Sequence, residues 1–138
     1  MHTKGPDEAA HTKSPAAKKI MIEALDKGLG RAIAPLLDDP EVLLVITSDH
    51  ATPCSGDMIH SGEAVALCFV GPGIPRDNVL RFDEVSAAAG ALGQVRDKEL
   101  MYLILNHTDR GKLMGIMDTP VDQAYYPGRY APLRIDDA

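Results

Sequence analysis

The chain has 138 residues, 45% hydrophobic, 25% charged and 4% aromatic, with no Trp and a formal net charge of −6. That length predicts one domain burying about two thirds of its unfolded surface, while scarce aromatics and net negative charge exclude a nucleic-acid surface. A phosphorylated ligand is excluded too, unless cations offset the repulsion; two divalent ions would add about +4 locally.

The opening residues, Met1 to Pro6, are polar and lack the apolar core of a signal peptide. Asp7 and His11 stand four apart, a spacing that shares one face of a helical turn or lets the two converge in a loop. Ser14-Pro15 predicts an N-cap followed by Pro at the first helical position. Ala17, Ile20, Met21, Ala24, Leu25, Ala32, Ile33, Leu36 and Leu37 then recur at helical spacing. Gly28, Gly30 and Pro35 predict a kink or break near Gly28 to Gly30, and Asp38-Asp39-Pro40 ends the helix.

Val42 to Ile46 is a continuous aliphatic run without alternation, the pattern of a parallel strand covered on both faces. A polar loop, Asp49 to Gly62, separates it from a second such run, Ala64 to Val70, closed by Gly71-Pro72-Gly73. The longest apolar stretch, Glu63 to Ile74, is too short and interrupted to span a bilayer. Asp83 to Ala91 predicts a short helix, and Asp97 starts another with Leu100, Met101, Ile104 and Leu105 on one face. From Asp118 the chain carries Pro120, Pro127, Pro132 and three of its four tyrosines without helical period. We read 118–138 as an extended arm lying on the same domain or on a partner chain, with a disordered tail as the alternative. Residues 1–117 form an α/β domain with a mostly parallel sheet on this reading. Cys54 and Cys68 make no disulfide framework, which fits a reduced, cytoplasmic setting.

The chemistry concentrates in Asp7, His11, Asp49, His50 and His60. Carboxylate oxygen and imidazole nitrogen together suit divalent zinc, manganese, cobalt or magnesium. Asp49-His50 stands at the carboxyl end of the first apolar run, where open α/β sheets gather their ligands. Adjacent residues on a strand point apart, so this pair implies either a two-metal site or a turn. Each feature alone also fits a turn cap or a solvated helix face.

The segments Lys4-Gly5-Pro6-Asp7-Glu8-Ala9-Ala10-His11, Thr47 to Ser55, His60-Ser61-Gly62-Glu63 and Phe82-Asp83-Glu84 resemble the archaeal cofactor-independent phosphoglycerate mutases of the alkaline phosphatase superfamily. The likeness covers about residues 2 to 107 and leaves out the tail after Gly115. It implies part of a three-layer sandwich around a mostly parallel sheet, with Asp7, His11 and His60 on one metal and Asp49 and His50 on another. It implies phosphoryl transfer between the two hydroxyls of a phosphoglycerate through a phosphoserine, with manganese the expected ion. The family draws that serine and a further acidic ligand from an Asp-Gly segment early in a longer chain, and nothing before Asp7 matches it. The expected partners are therefore a chain bearing that segment, or further copies joined through the arm, with a phosphorylated small molecule as substrate. Ser48, Ser55, Ser61, Thr52 and Cys54 are the local stand-ins for a nucleophile. Ala10, Glu63 and Gln94 depart from the family pattern, Gln94 standing where a basic residue is common. A catalytically silent binding or oligomerisation module is the competing reading. Some relatives carry the name phosphonopyruvate decarboxylase, but no lysine or thiamine-diphosphate signature supports that chemistry.

Overall fold

Pro6 lacks an amide that the first helical turn would leave unbonded anyway, and Asp7 and Glu8 favour the positive end of the helix dipole. These residues open α1 (Gly5–His11) in the computed structural model, which describes residues 1–108 and 110. The expected arm, 118–138, lies outside the described residues. A boundary between Gln94 and Val95 separates two units.

At the end of α1 the Thr12 hydroxyl donates to the Ala9 carbonyl, 2.6 Å away, and Lys13 turns the chain in the left-handed region with φ of 56°. The next helix starts where expected. Ser14 Oγ accepts from the Ala17 amide at 3.3 Å, Pro15 takes the first position, and α2 runs over Pro15–Leu37. The break expected at Gly28 to Gly30 does not occur: the helix continues through both glycines, and through Pro35. One glycine costs a helix only about 1 kcal/mol relative to alanine. The surrounding Lys27, Leu29, Arg31 and Ala32 tolerate or favour helix, and Arg31 Nε also donates to the Lys27 carbonyl. Pro35 has no amide to give the Arg31 carbonyl, so the helix forgoes that one bond close to its end.

α1 packs on α2. The seat is close at Gly5, where a Cβ would stand 2.7 Å from Met21 Sδ, and Ala10 on the same helix is fully buried. A seven-residue helix does not persist in water by itself, so this contact holds α1 in shape.

The apolar runs form β1 (Leu44–Thr47) and β2 (Leu67–Val70), but they pair antiparallel, from Leu44 opposite Val70 to Thr47 opposite Leu67. The expected parallel sheet of a three-layer sandwich is not what the described residues form; theirs is one two-stranded ribbon. An apolar run without alternation reports that both faces are shielded, and carries no information about direction. Direction follows the connection. Here the loop folds back on itself through an antiparallel bridge between Ala51 and Ser61, so the second strand returns beside the first. Phe69 is buried in this ribbon, as is Ala66 just before its second strand. Gly71 lets the exit of β2 pass the entry of β1, for a Cβ there would lie 2.9 Å from the Val42 carbonyl oxygen.

Beyond the ribbon, Asp77 organises a loop by accepting from the amides of Ala91 and Val79. The expected helix from Asp83 is short, α3 (Glu84–Ala87), with Asp83 as its N-cap accepting from both the amide and the hydroxyl of Ser86. In the second unit, α4 (Asp97–His107) begins where Glu99 Oε2 accepts from the Arg96 amide at 2.9 Å. Leu100, Ile104 and Leu105 are half-buried as the expected stripe requires, whereas Met101 is exposed and Leu103 replaces it. Among the described residues, no helix is long and apolar enough to cross a membrane.

Candidate metal centre

Asp7 is the hub. It sits in the first turn of α1, and His11, one turn further on, brings Nε2 to 3.3 Å from Asp7 Oδ1. The spacing resolves as a helical turn rather than a loop. His60 comes from the far side of the polar loop, its Nε2 3.6 Å from the same oxygen. The Ala51–Ser61 bridge explains this approach: Ser61 donates its amide to the Ala51 carbonyl, and the residues preceding each, His50 and His60, come into contact with ring centroids 3.9 Å apart and planes tilted by 38°. Donor atoms of Asp7, His11 and His60 all lie within 4.8 Å of one another.

The donor set fits a divalent ion. Each imidazole nitrogen stands 3.3 to 3.6 Å from Asp7 Oδ1, and two donors that far apart, each about 2.1 Å from a zinc-sized centre, subtend about 100–120° at it. Carboxylate with two imidazoles is also the mixed oxygen and nitrogen chemistry that such ions take.

Asp49 and His50 follow β1 in a bend and not on the strand, which removes the objection that neighbours point apart. Asp49 Oδ2 lies 3.5 Å from His50 Nε2 and 3.7 Å from His2 Nε2. The five expected residues thus form two groups. Asp7, His11 and His60 converge on one point, while Asp49 and His50 stand together beside it, joined to the first group by the contact between the His50 and His60 rings.

Thr52 links the groups. Its hydroxyl donates to Asp7 Oδ1 at 2.8 Å and lies 3.2 Å from His50 Nδ1. That hydrogen bond is the main reason the Asp7 carboxyl is held below its usual range; partial burial opposes it, and the imidazoles of His11, His50 and His60 reinforce it. For Asp49, desolvation pushes the carboxyl up, but its own amide, the His50 ring and amide, and His2 outweigh it and leave the value lowered. Both acids are therefore held as carboxylates, the form a cation needs.

Two lysines that the sequence did not single out hold the loop in place. Lys13 Nζ donates to the carbonyls of Pro53 and Met58, and Lys18 Nζ to that of Thr52 at 2.6 Å. The helix pair carrying Asp7 and His11 is thereby fastened to the loop carrying His50, Thr52 and His60. The one readable signal was basic residues in the α1–α2 turn facing a chain of net charge −6, which is too general to name partners.

Comparison with known proteins points to a family of metalloenzymes. The metalloenzyme superfamily matches residues 1–107. A 2,3-bisphosphoglycerate-independent phosphoglycerate mutase 2 from Methanocaldococcus jannaschii is 46% identical over 127 residues, 92% of this chain and 28% of that protein. With 127 of 138 residues matched, the likeness runs into 118–138, further than the stretch 2–107 expected. A 2,3-bisphosphoglycerate-independent phosphoglycerate mutase from Methanoculleus marisnigri is 41% identical over 83% of this chain and 27% of its own length. A solved structure of a protein from Pyrococcus horikoshii superposes with a TM-score of 0.75 at 36% identity, covering 83% of this chain and 34% of that one. The chain spans little more than a quarter of the length of these curated relatives. Metal-ready geometry and a match over residues 1–107 lead to one conclusion: the chain belongs to the metalloenzyme superfamily and, within it, is similar to the archaeal cofactor-independent phosphoglycerate mutases.

Proposed function

We propose that this chain is the divalent-metal-binding part of a 2,3-bisphosphoglycerate-independent phosphoglycerate mutase, acting on phosphoglycerate in glycolysis. Asp7, His11 and His60 hold one ion, and Asp49 and His50 contribute to a second, with Mn2+ the favoured metal. The observation that carries this reading is the convergence of Asp7, His11 and His60 donor atoms within 4.8 Å.

Bound ions would offset the chain's negative charge, polarise phosphoryl oxygens and lower the pKa of an attacking hydroxyl. The chain's own residues prepare for that chemistry. Thr52 keeps Asp7 ionised and aimed, and the lysine clamps hold the loop against the helix pair. The His50 and His60 rings lie in contact, which limits the turning of either. The local serines are not engaged with the centre: among the described residues none hydrogen-bonds Asp7, Asp49 or the three imidazoles, and the Ser61 hydroxyl lies beside the Glu63 carboxylate, whose pKa it lowers. Transfer therefore needs a serine from an Asp-Gly segment of the kind the family carries, on the same polypeptide or on a partner chain.

Calorimetric titration with Mn2+ tests the proposal. Wild type should bind, Asp7→Asn and His60→Ala should weaken binding by about tenfold or more, and His50→Ala should affect a separable event. Weak binding that is the same in all four proteins would remove the proposal's foundation.

A further inference from the structure

Thr52 is 6% exposed, and a side chain this buried satisfies its hydroxyl chiefly through its protein contacts, here two. A threonine hydroxyl has one proton to give and two lone pairs to receive with. Asp7 as a carboxylate can only accept, so the hydroxyl proton goes to Asp7 Oδ1 at 2.8 Å. The second contact, 3.2 Å to His50 Nδ1, is then a hydrogen bond only if the imidazole supplies the proton.

We infer that Thr52 is a positioning residue whose hydroxyl, by giving its proton to Asp7 and receiving one from His50 Nδ1, holds the neutral form of His50 as the tautomer with a free lone pair on Nε2. Three consequences match the geometry. Nε2 is the atom that faces Asp49 Oδ2, 3.5 Å away. With its lone pair free, two acceptors meet across a gap that suits a shared cation and not a direct hydrogen bond. His60 lies against the ring, centroids 3.9 Å apart and planes tilted by 38°, so with the hydrogen bond at Nδ1 the ring has contacts on a face and on an edge that orient Nε2. One hydroxyl thus aligns a donor of each group, Asp7 in one and His50 in the other, and couples their geometry. The consequence for metal binding rests on the reading proposed above; the tautomer does not.

The test uses the full-length chain, metal-free, labelled with 15N-histidine. Long-range proton–nitrogen correlation at neutral pH should show His50 with Nδ1 protonated in wild type and in Thr52→Ser. In Thr52→Val, which keeps the shape and removes the hydroxyl, the signal should move toward the Nε2–H form. Mn2+ affinity should fall by about 10–100-fold in Thr52→Val and by less than about threefold in Thr52→Ser. A wild-type His50 protonated on Nε2 alone overturns the inference without any variant having to fold. Equal Mn2+ affinity in wild type and a folded Thr52→Val overturns the positioning role. If wild type shows the Nδ1–H tautomer but binds no Mn2+, the metal reading falls and the hydrogen-bond assignment stands.

Discussion

Replacing Ala10 by leucine separates the stability of α1 from the position of the ligands it carries. Ala10 is fully buried on the short helix that packs on α2, and the same helix carries Asp7 and His11. A leucine there adds three heavy atoms where none fits, and overpacking of this kind costs about 1–3 kcal/mol. The chain's other option is to lift α1 off α2, and a seven-residue helix has little internal rigidity to resist it. Either way Asp7 and His11 move relative to His60, while metal–ligand distances tolerate only about 0.2 Å. Glycine at the same position is the control. It loses about 1 kcal/mol of helix propensity and about 0.8 kcal/mol for the buried methyl, so its stability penalty is similar, but it pushes nothing outward. Urea unfolding followed by circular dichroism should show both variants destabilised by about 2 kcal/mol. Mn2+ affinity, measured where each variant is folded, should drop about tenfold or more in Ala10→Leu and stay within about threefold in Ala10→Gly. Equal affinities in the two folded variants would refute the claim that the α1–α2 seat sets the ligand geometry.

Gly71→Ala should destabilise the ribbon by about 1–3 kcal/mol, read as a lower urea midpoint, because the new methyl meets backbone at Val42 and Leu43 and cannot rotate away. Metal should stabilise the fold: Mn2+ at a hundredfold excess over its dissociation constant adds about 2.7 kcal/mol, reversed by a chelator and absent in Asp7→Asn. Acid should unfold the metal-free chain through its paired carboxylates. Asp77, bonded by the amides of Ala91 and Val79, and Asp83, bonded by the amide and hydroxyl of Ser86, are both held below the ordinary 3.8, as is Asp7. A depressed folded-state pKa contributes stability that is complete above the unfolded value and lost as pH falls through the folded one. The urea midpoint should therefore be level from neutrality to about pH 5 and fall below about pH 4, less steeply in Asp77→Asn. An unchanged slope in that variant would remove Asp77 from the account.

Much of the helical structure was legible because its signals are local. Ser14-Pro15 names a cap and a first position, and the structure uses both. Asp7 and His11 lie one turn apart on a single helix, so their closeness needs nothing from the rest of the chain. The strands were legible as apolar runs, but their direction belongs to the loop between them, which has no periodicity to read. His60 shows the same limit: it reaches Asp7 through the Ala51–Ser61 bridge, a pairing that forms only once the loop closes. The overestimated break in α2 came from treating glycines as stops, when two isolated ones among good helix formers are a tolerable cost.

Thr52 was the residue most easily misread, since a hydroxyl two positions after a metal-type histidine resembles a nucleophile. Its burial and its pair of hydrogen bonds argue against that role: a hydroxyl whose proton is committed to Asp7 is not poised to attack phosphorus. The carbonyl of the same residue accepts from Lys18, and the next one along accepts from Lys13. At one point in the loop the helix pair therefore grips the backbone from outside while the side chain grips Asp7 and His50 from within. Ligands drawn from three separate stretches need such a junction, because each stretch alone is a short helix or a turn with little rigidity of its own. The loop's polarity, which reads as a solvated connection in the sequence, is in this structure the polarity of a scaffold.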